Sequence, residues 1–192
     1  MAEEQKKEVD VKKIIWISVM AAVGTLILGV AIAFLIRMSQ FTSFYDSYYK
    51  IRIKHPKSWI VGKDIAGTIV TFIAPKENAL DNFNENLNIS VSDLPPEGMT
   101  LAQFSKIATS QTEAVFRGHL KVIESREIDF AGFPAYSYVI RTAEEPILQL
   151  GFVWFFKENR AYVITYAVQM IWYKKHFGKF NYMLDSFAIG VK

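Results

Sequence analysis

The chain has 192 residues, is 51% hydrophobic and 15% aromatic, and carries a formal charge of only +3. This composition excludes a disordered chain and offers no electrostatic ground for nucleic-acid binding. It contains no cysteine, which excludes disulfides, thiolate nucleophiles, sulfur-bound metals and a lipoprotein anchor.

Residues 1–13 form a charged tail in which Lys6, Lys7, Lys12 and Lys13 are matched by Glu3, Glu4, Glu8 and Asp10. Residues 14–36 follow as IIWISVMAAVGTLILGVAIAFLI, without charge or proline. As a helix this run spans roughly 34 Å, enough to cross a bilayer once. Ala21, Thr25, Gly29 and Ala33 recur every fourth residue and so share one ridge of the helix. The ridge reads either as the ordinary small-residue content of a membrane helix or as the seam where a partner helix packs. Lysines crowd the front of the span, whereas only Arg37 and then Lys50 follow it closely. The expected topology is therefore single-pass, with the N-terminus cytoplasmic and the remainder in a periplasm, cell-wall space or lumen. A cleaved signal peptide is the competing reading, because Ala31-Ile32-Ala33 has the small-x-small form of a cleavage site. The apolar run continues through Phe34, Leu35 and Ile36, which favours an anchor.

Residues 37–48 read as a membrane-proximal junction, where Phe41, Phe44, Tyr45, Tyr48 and the adjoining Tyr49 suit the headgroup zone, as Trp16 does at the other end. Residues 49–192 are the length of one globular domain. A half-buried strand is expected from Tyr49 to Lys54, with Ile51 and Ile53 inward. A turn at His55-Pro56-Lys57-Ser58-Trp59, a strand over 67–74, a polar loop over 75–86 and an alternating strand over 87–92 follow. Thr100 with Gln103 has the form of a capping box, and Leu101, Phe104, Ala108 and Val115 supply that helix's apolar face. Strands are expected over 120–130, 134–143, 147–157 and 160–168. Their short turns imply antiparallel neighbours, and the last two are apolar enough on both faces to be central. A second helix would bury Tyr173, Phe177, Phe180 and Leu184 and turn Lys174, Lys175 and Lys179 outward. A short strand over 186–189 ends the pattern.

The opening strand running into Pro56-x-x-Trp59, the Thr100-Leu101 helix start, the Gly132-x-Pro134-Ala135-Tyr136 hairpin, the strand ending Ala161-Tyr162-Val163-Ile164-Thr165-Tyr166 and the closing helix before Ser186-Phe187 together resemble the PsbP-like superfamily (the PsbP/Mog-type fold). The resemblance covers roughly residues 45 to 192. It implies an α/β/α sandwich around a central antiparallel sheet, no enzymatic activity, and a habit of binding larger assemblies. The span at the front is a departure from the soluble members, so the chain reads as a membrane-anchored member of α+β class.

The candidate chemistry is sparse. His55, His119 and His176 lack metal-ligand spacing and read as exposed polar residues. Asp81-Asn82-Phe83-Asn84-Glu85-Asn86 is oxygen-rich but lacks the glycine and terminal glutamate of a calcium loop, so it reads as a solvated loop. Asn88-Ile89-Ser90 is a formal glycosylation acceptor placed inside an expected strand. Glu144 with Glu145, and Glu127 with Asp129, read as solvent-exposed pairs. No nucleophile elbow, phosphate loop or dinucleotide fingerprint occurs. No catalytic residue, metal or cofactor is expected. Lys50, Arg52, Lys54 and Lys57, close after the span, are candidates for contact with anionic membrane lipid or an acidic partner. The favoured function is a non-catalytic accessory or stabilising subunit of a larger membrane complex, docked to other membrane protein subunits through Ala21, Thr25, Gly29 and Ala33. The alternative is a free-standing envelope protein that binds a lipid or small ligand in a pocket lined by some of Tyr136, Tyr138, Trp154, Phe156 and Tyr166.

Overall fold

The computed structural model describes residues 2–65 and 67–190, apart from the side chains of residues 2–12, 14, 34 and 36–38. The chain divides into two units, with the boundary after Phe41.

The first unit is helix α1 (Ala2–Ser39). The expected tail and span are thus one continuous helix, although the side chains of Lys6, Lys7, Lys12 and Arg37, which set the expected orientation, lie outside the described residues. Within it Ile15–Ala33 is long and apolar enough to cross a membrane, and none of it is buried. Thr25 turns its hydroxyl back to donate to the Ala22 carbonyl at 2.8 Å, which satisfies the polar group within the helix itself.

Beyond α1 come β1 (Phe41–Asp46), which straddles the boundary by one residue, and, within the second unit, β2 (Ile51–Pro56), β3 (Ile60–Lys63), β4 (Val70–Ile73), β5 (Asn86–Asp93), α2 (Leu101–Val115), β6 (Leu120–Phe130), β7 (Phe133–Thr142), β8 (Leu148–Lys157), β9 (Arg160–Gln169), α3 (Tyr173–Asp185) and β10 (Ala188–Ile189). β1 occupies part of the stretch expected to be a membrane junction. Phe44 is buried and meets Phe72 edge-on at 5.7 Å, so folded structure starts earlier than residue 49. β3 forms just after the expected turn at 55–59, in a stretch to which the sequence assigns no element.

Seven strands make one antiparallel sheet in the order β3-β4-β5-β9-β8-β7-β6, and β1-β2-β10 make a smaller one. β9 and β8 are central, as their two-sided apolarity requires. The β6–β7 and β8–β9 hairpins close through Ala131-Gly132 and Glu158-Asn159, all with positive φ, the two-residue geometry that matches strand twist. α2 opens with the expected capping box, Gln103 N–H donating to Thr100 Oγ1 at 3.2 Å and Thr100 N–H to Gln103 Oε1 at 2.9 Å. It ends in a Schellman pair, with Arg117 N–H to Ala114 O and Gly118 N–H to Glu113 O.

The large sheet has a core on each face. On one, Tyr136 and Trp154 are cross-strand partners, and Phe104 of α2 meets Trp154 at 6.1 Å. The Trp154 indole donates to Ser105 Oγ at 2.7 Å. That bond explains a buried serine on α2, since an unpaired indole N–H there would cost about 1–3 kcal/mol. On the other face, α3 and the small sheet cover Phe72, Leu87, Ile89 and Phe155, with Trp59 and Phe180 meeting at 5.5 Å.

α3 is rotated from its expected placement. His176, Phe180 and Met183 are its buried residues, whereas Phe177 is 38% exposed.

Candidate functional site

The five aromatics proposed to line one pocket divide between the two faces of the sheet. β-strand alternation puts Tyr136, Tyr138, Trp154 and Phe156 toward α2 and Tyr166 on the opposite side. On the α2 side they pack ring on ring: Tyr136 stacks on Trp154 at 5.4 Å and Phe104 meets Phe156 at 5.5 Å. Burial pushes the Tyr138 hydroxyl up, reinforced by the neighbouring Glu113 carboxylate. These four side chains make a filled core.

The larger opening lies on the other face, where α3 leaves part of β6, β7 and β8 uncovered. It is a groove of about 610 Å³, floored by Ser137, Val139 and Val153 and walled by Tyr173, Phe177 and Leu184. Tyr166 lies flat across its inner end because Gly151 has no side chain. A Cβ built on Gly151 would stand 2.0 Å from Tyr166 Cε1. Burial pushes the Tyr166 hydroxyl up, partly offset by its hydrogen bond with Gln149. Ser137 donates to Glu124, which also meets Arg126 at 3.4 Å, and Arg141 donates to Gln149 at 3.1 Å. The groove therefore offers a carboxylate, an amide and a guanidinium beside aromatic walls, and its serine has a carboxylate rather than a histidine as partner.

Two of the three histidines are buried rather than exposed. His55 and His176 are buried, at 6% and 1% exposure, and only His119, paired with Glu144, is open. His55 Nδ1 lies 3.0 Å from its neighbour's carbonyl, Pro56 O, and burial lowers its pKa from the ordinary 6.5. His176 Nε2 sits 2.6 Å from Glu77 Oε1, and Lys175 also bonds that carboxylate. Burial alone would push the Glu77 carboxyl up. The hydrogen bonds from Lys175 and His176 outweigh it together and hold the group below its usual range.

The oxygen-rich loop is likewise not simply solvated. Asp81 and Glu85 are buried; Asp81 accepts from the backbone N–H groups of Glu77 and Phe83, and Glu85 accepts from Gln169 N–H at 3.4 Å. Among the described residues no three His, Cys, Asp or Glu side chains gather to hold a metal ion. Asn88 lies in β5 and donates to Asn86 Oδ1 at 3.0 Å. No sequence pattern marks Trp59, Glu77 and His176 as neighbours, because they come from three distant segments.

Ala21, Thr25, Gly29 and Ala33 are all exposed on α1, and nothing lies within 4 Å of a Cβ built on Gly29. The four basic residues after the span are spread along β2. Lys50 sits in the β1–β2 turn, Arg52 and Lys54 on β2, and Lys57 beyond its far end, so the set stretches over roughly 20 Å. Lys54 places its ammonium 5.9 Å over the Tyr182 ring.

A sequence profile described as PsbP-like protein matches residues 37–189. The chain belongs to the PsbP-like family. Solved structures with the PsbP-like fold include cyanobacterial PsbP (CyanoP) from Synechocystis sp. PCC 6803, at 14% identity and TM-score 0.59, covering 78% of this chain and 92% of that one. LpqN of Mycobacterium tuberculosis, described as involved in cell envelope biogenesis, is similar at 10% identity and TM-score 0.57, covering 78% and 90%. The Ran-binding protein Mog1p of Saccharomyces cerevisiae is similar at 9% identity and TM-score 0.54, covering 78% and 95%. At these identities the likeness is one of fold. No curated protein matches this chain in sequence.

Proposed function

We propose that this PsbP-like protein is a non-catalytic accessory subunit of a membrane protein complex, anchored by α1, with its domain outside the cytoplasm. The observation that carries the reading is α1: a stretch long and apolar enough to span a bilayer, wholly unburied by its own chain, and bearing a four-residue small-side-chain ridge. Lipid covers the apolar surface, and a second helix fits the ridge closely at Ala21, Thr25, Gly29 and Ala33. The domain supports the reading through the work its polar groups do. His55, His119 and His176 each face a neighbouring carbonyl or carboxylate, and the Glu77 and Asp81 carboxylates are engaged in holding the 74–86 loop. One neighbour by fold is described as Ran-binding, which agrees with a role in binding, and another as involved in cell envelope biogenesis, which agrees with a place at the envelope.

The test is purification in mild detergent of the intact chain beside a Thr25→Leu, Gly29→Leu variant. Membrane proteins should co-purify in fixed proportion with the intact chain and be lost from the variant. A partner-free monomer in both cases contradicts the subunit reading.

The groove under α3 favours a second reading, a binding domain for a small amphipathic ligand. Gly151 and Tyr166 shape its inner end, and Gln149 and Glu124 supply polar contacts. A ligand retained through purification and lost in Val153→Trp would support it; an empty groove in native preparations would contradict it.

A further inference from the structure

Three segments distant in sequence meet at one end of the large sheet: residues 57–61, 75–81 and 171–175. His176, just inside α3, joins them, with Trp59 at 5.9 Å between ring centroids and Glu77 at 2.6 Å. Each segment pushes an aliphatic side chain into solvent: Ile60 is 65% exposed, Leu80 93% and Ile171 78%. Ile60 opens the edge strand β3 with the half-exposed Val61 beside it, while Leu80 and Ile171 stand in the other two segments, and none of the three belongs to the domain's buried core.

Charge is sorted across the same surface. Lys57, Lys76, Lys174 and Lys175 are exposed, while the acids of these segments turn inward, the Glu77 side chain being 5% exposed and Asp81 7%. The exposed charges of the three segments are therefore all positive. The patch is bounded by the β7–β8 corner, where Glu144 is matched by His119 and Glu145 accepts from Ile147 N–H at 3.2 Å.

The chain also enters the domain at this end. β1 and β2 form a hairpin whose turn, residues 47–50, is at the opposite end, so the first residues of β1 lie beside the Pro56 end of β2, from which residues 57–61 emerge. An aliphatic tip surrounded by lysines suits a boundary between hydrocarbon and anionic headgroups: the tip gains by leaving water, and each lysine gains by lying near negative charge.

We propose that this end of the domain rests on the membrane, with Leu80, Ile171 and Ile60 dipping into the headgroup boundary and the surrounding lysines holding anionic lipid headgroups. This rests on the anchored reading and adds to it a lipid class and a contact surface. Of the four basic residues picked out after the span, only Lys57 belongs to the surface.

The natural absence of cysteine makes the test direct, because any introduced cysteine is the sole attachment point for a nitroxide label. Full-length Leu80→Cys, Ile171→Cys, Leu26→Cys and Glu97→Cys are placed in nanodiscs of neutral lipid or of neutral lipid mixed with phosphatidylglycerol, and label depth is read from collisions with oxygen against a water-soluble relaxant. Glu97 follows β5 at the opposite end of the sheet and serves as the solvent control. The expected result is a severalfold higher oxygen-to-relaxant ratio at positions 80 and 171 than at 97 in the anionic discs. Adding Lys57→Glu, Lys76→Glu and Lys174→Glu should remove it while circular dichroism stays unchanged. Equal ratios at 80, 171 and 97, with Leu26→Cys deep in hydrocarbon, overturn this inference and leave the anchor standing. The same depth at 80 and 171 in neutral discs overturns the anionic-lipid assignment. A water-exposed label at 26 overturns the anchor itself and this inference with it.

Discussion

α1 and the domain use apolar residues in opposite ways. In α1, Leu26, Ile27 and Leu28 are each more than 60% exposed, while in the domain Ile51, Ile53, Leu87 and Ile89 are each fully buried. The domain's stability comes from removing such side chains from water. Among the described residues nothing covers the apolar stretch of α1, so that surface calls for lipid or a partner helix rather than water. A mutation should therefore act on one unit and leave the other alone.

The largest expected effect is in the α2-side core. Trp154→Ala removes the ring that Phe104 and Tyr136 pack on and leaves the Ser105 hydroxyl without its indole donor. It should cost about 3–5 kcal/mol of domain stability in urea titration in detergent, with membrane partition of the chain unchanged. Gly151→Ala comes next. The new methyl must displace a Tyr166 ring that stacks on Phe180 at 4.9 Å, and the expected loss is about 1–3 kcal/mol in the same titration.

Acid should then loosen the domain in two steps and leave α1 helical. His55 binds its proton less readily when folded than when unfolded, so its contribution is complete above pH 6.5 and is lost as pH falls through its depressed folded value. Glu77 behaves likewise from its ordinary 4.5 downward, because the hydrogen bonds from Lys175 and His176 depress its folded pKa. Melting temperature against pH should decline below 6.5 and again below 4.5. His55→Phe should remove the upper step and Glu77→Gln the lower. The smallest effect on the domain is expected from Thr25→Leu with Gly29→Leu, within about 0.5 kcal/mol in denaturant titration, even though partner recovery should be lost.

What could be read from the sequence was what short-range chemistry determines. Thr100 and Gln103 sit three residues apart and cap α2 through each other, and Ala131-Gly132 and Glu158-Asn159 make their turns unaided. The four strands from β6 to β9 therefore stood out with nearly their observed bounds. β1 did not, because Phe41, Phe44 and Tyr45 look the same in a headgroup belt as in an edge strand, and only contact with Phe72 decides. The buried face of α3 is hidden from the sequence for a similar reason. Counting apolar residues selects Tyr173 and Phe177, yet His176 is buried because Trp59 and Glu77, from elsewhere in the chain, give its ring a neighbour and a hydrogen-bond partner. Asp81 and Glu85 looked solvated because backbone donors that fold back on them leave no mark in composition. The groove was invisible for the same reason: it is the space α3 does not fill.

In the proposed topology α1 crosses the membrane, with the residues before the span in the cytoplasm and the domain outside it. The direct measurement uses single-cysteine chains in intact cells, Glu97→Cys in the domain and Glu3→Cys before the span, treated with a membrane-impermeant maleimide before or after lysis. Glu97→Cys should be labelled in intact cells and Glu3→Cys only after lysis, with both chains remaining in the membrane pellet after alkaline carbonate. Labelling of both from the same side, or release of the domain into the carbonate supernatant, would contradict it.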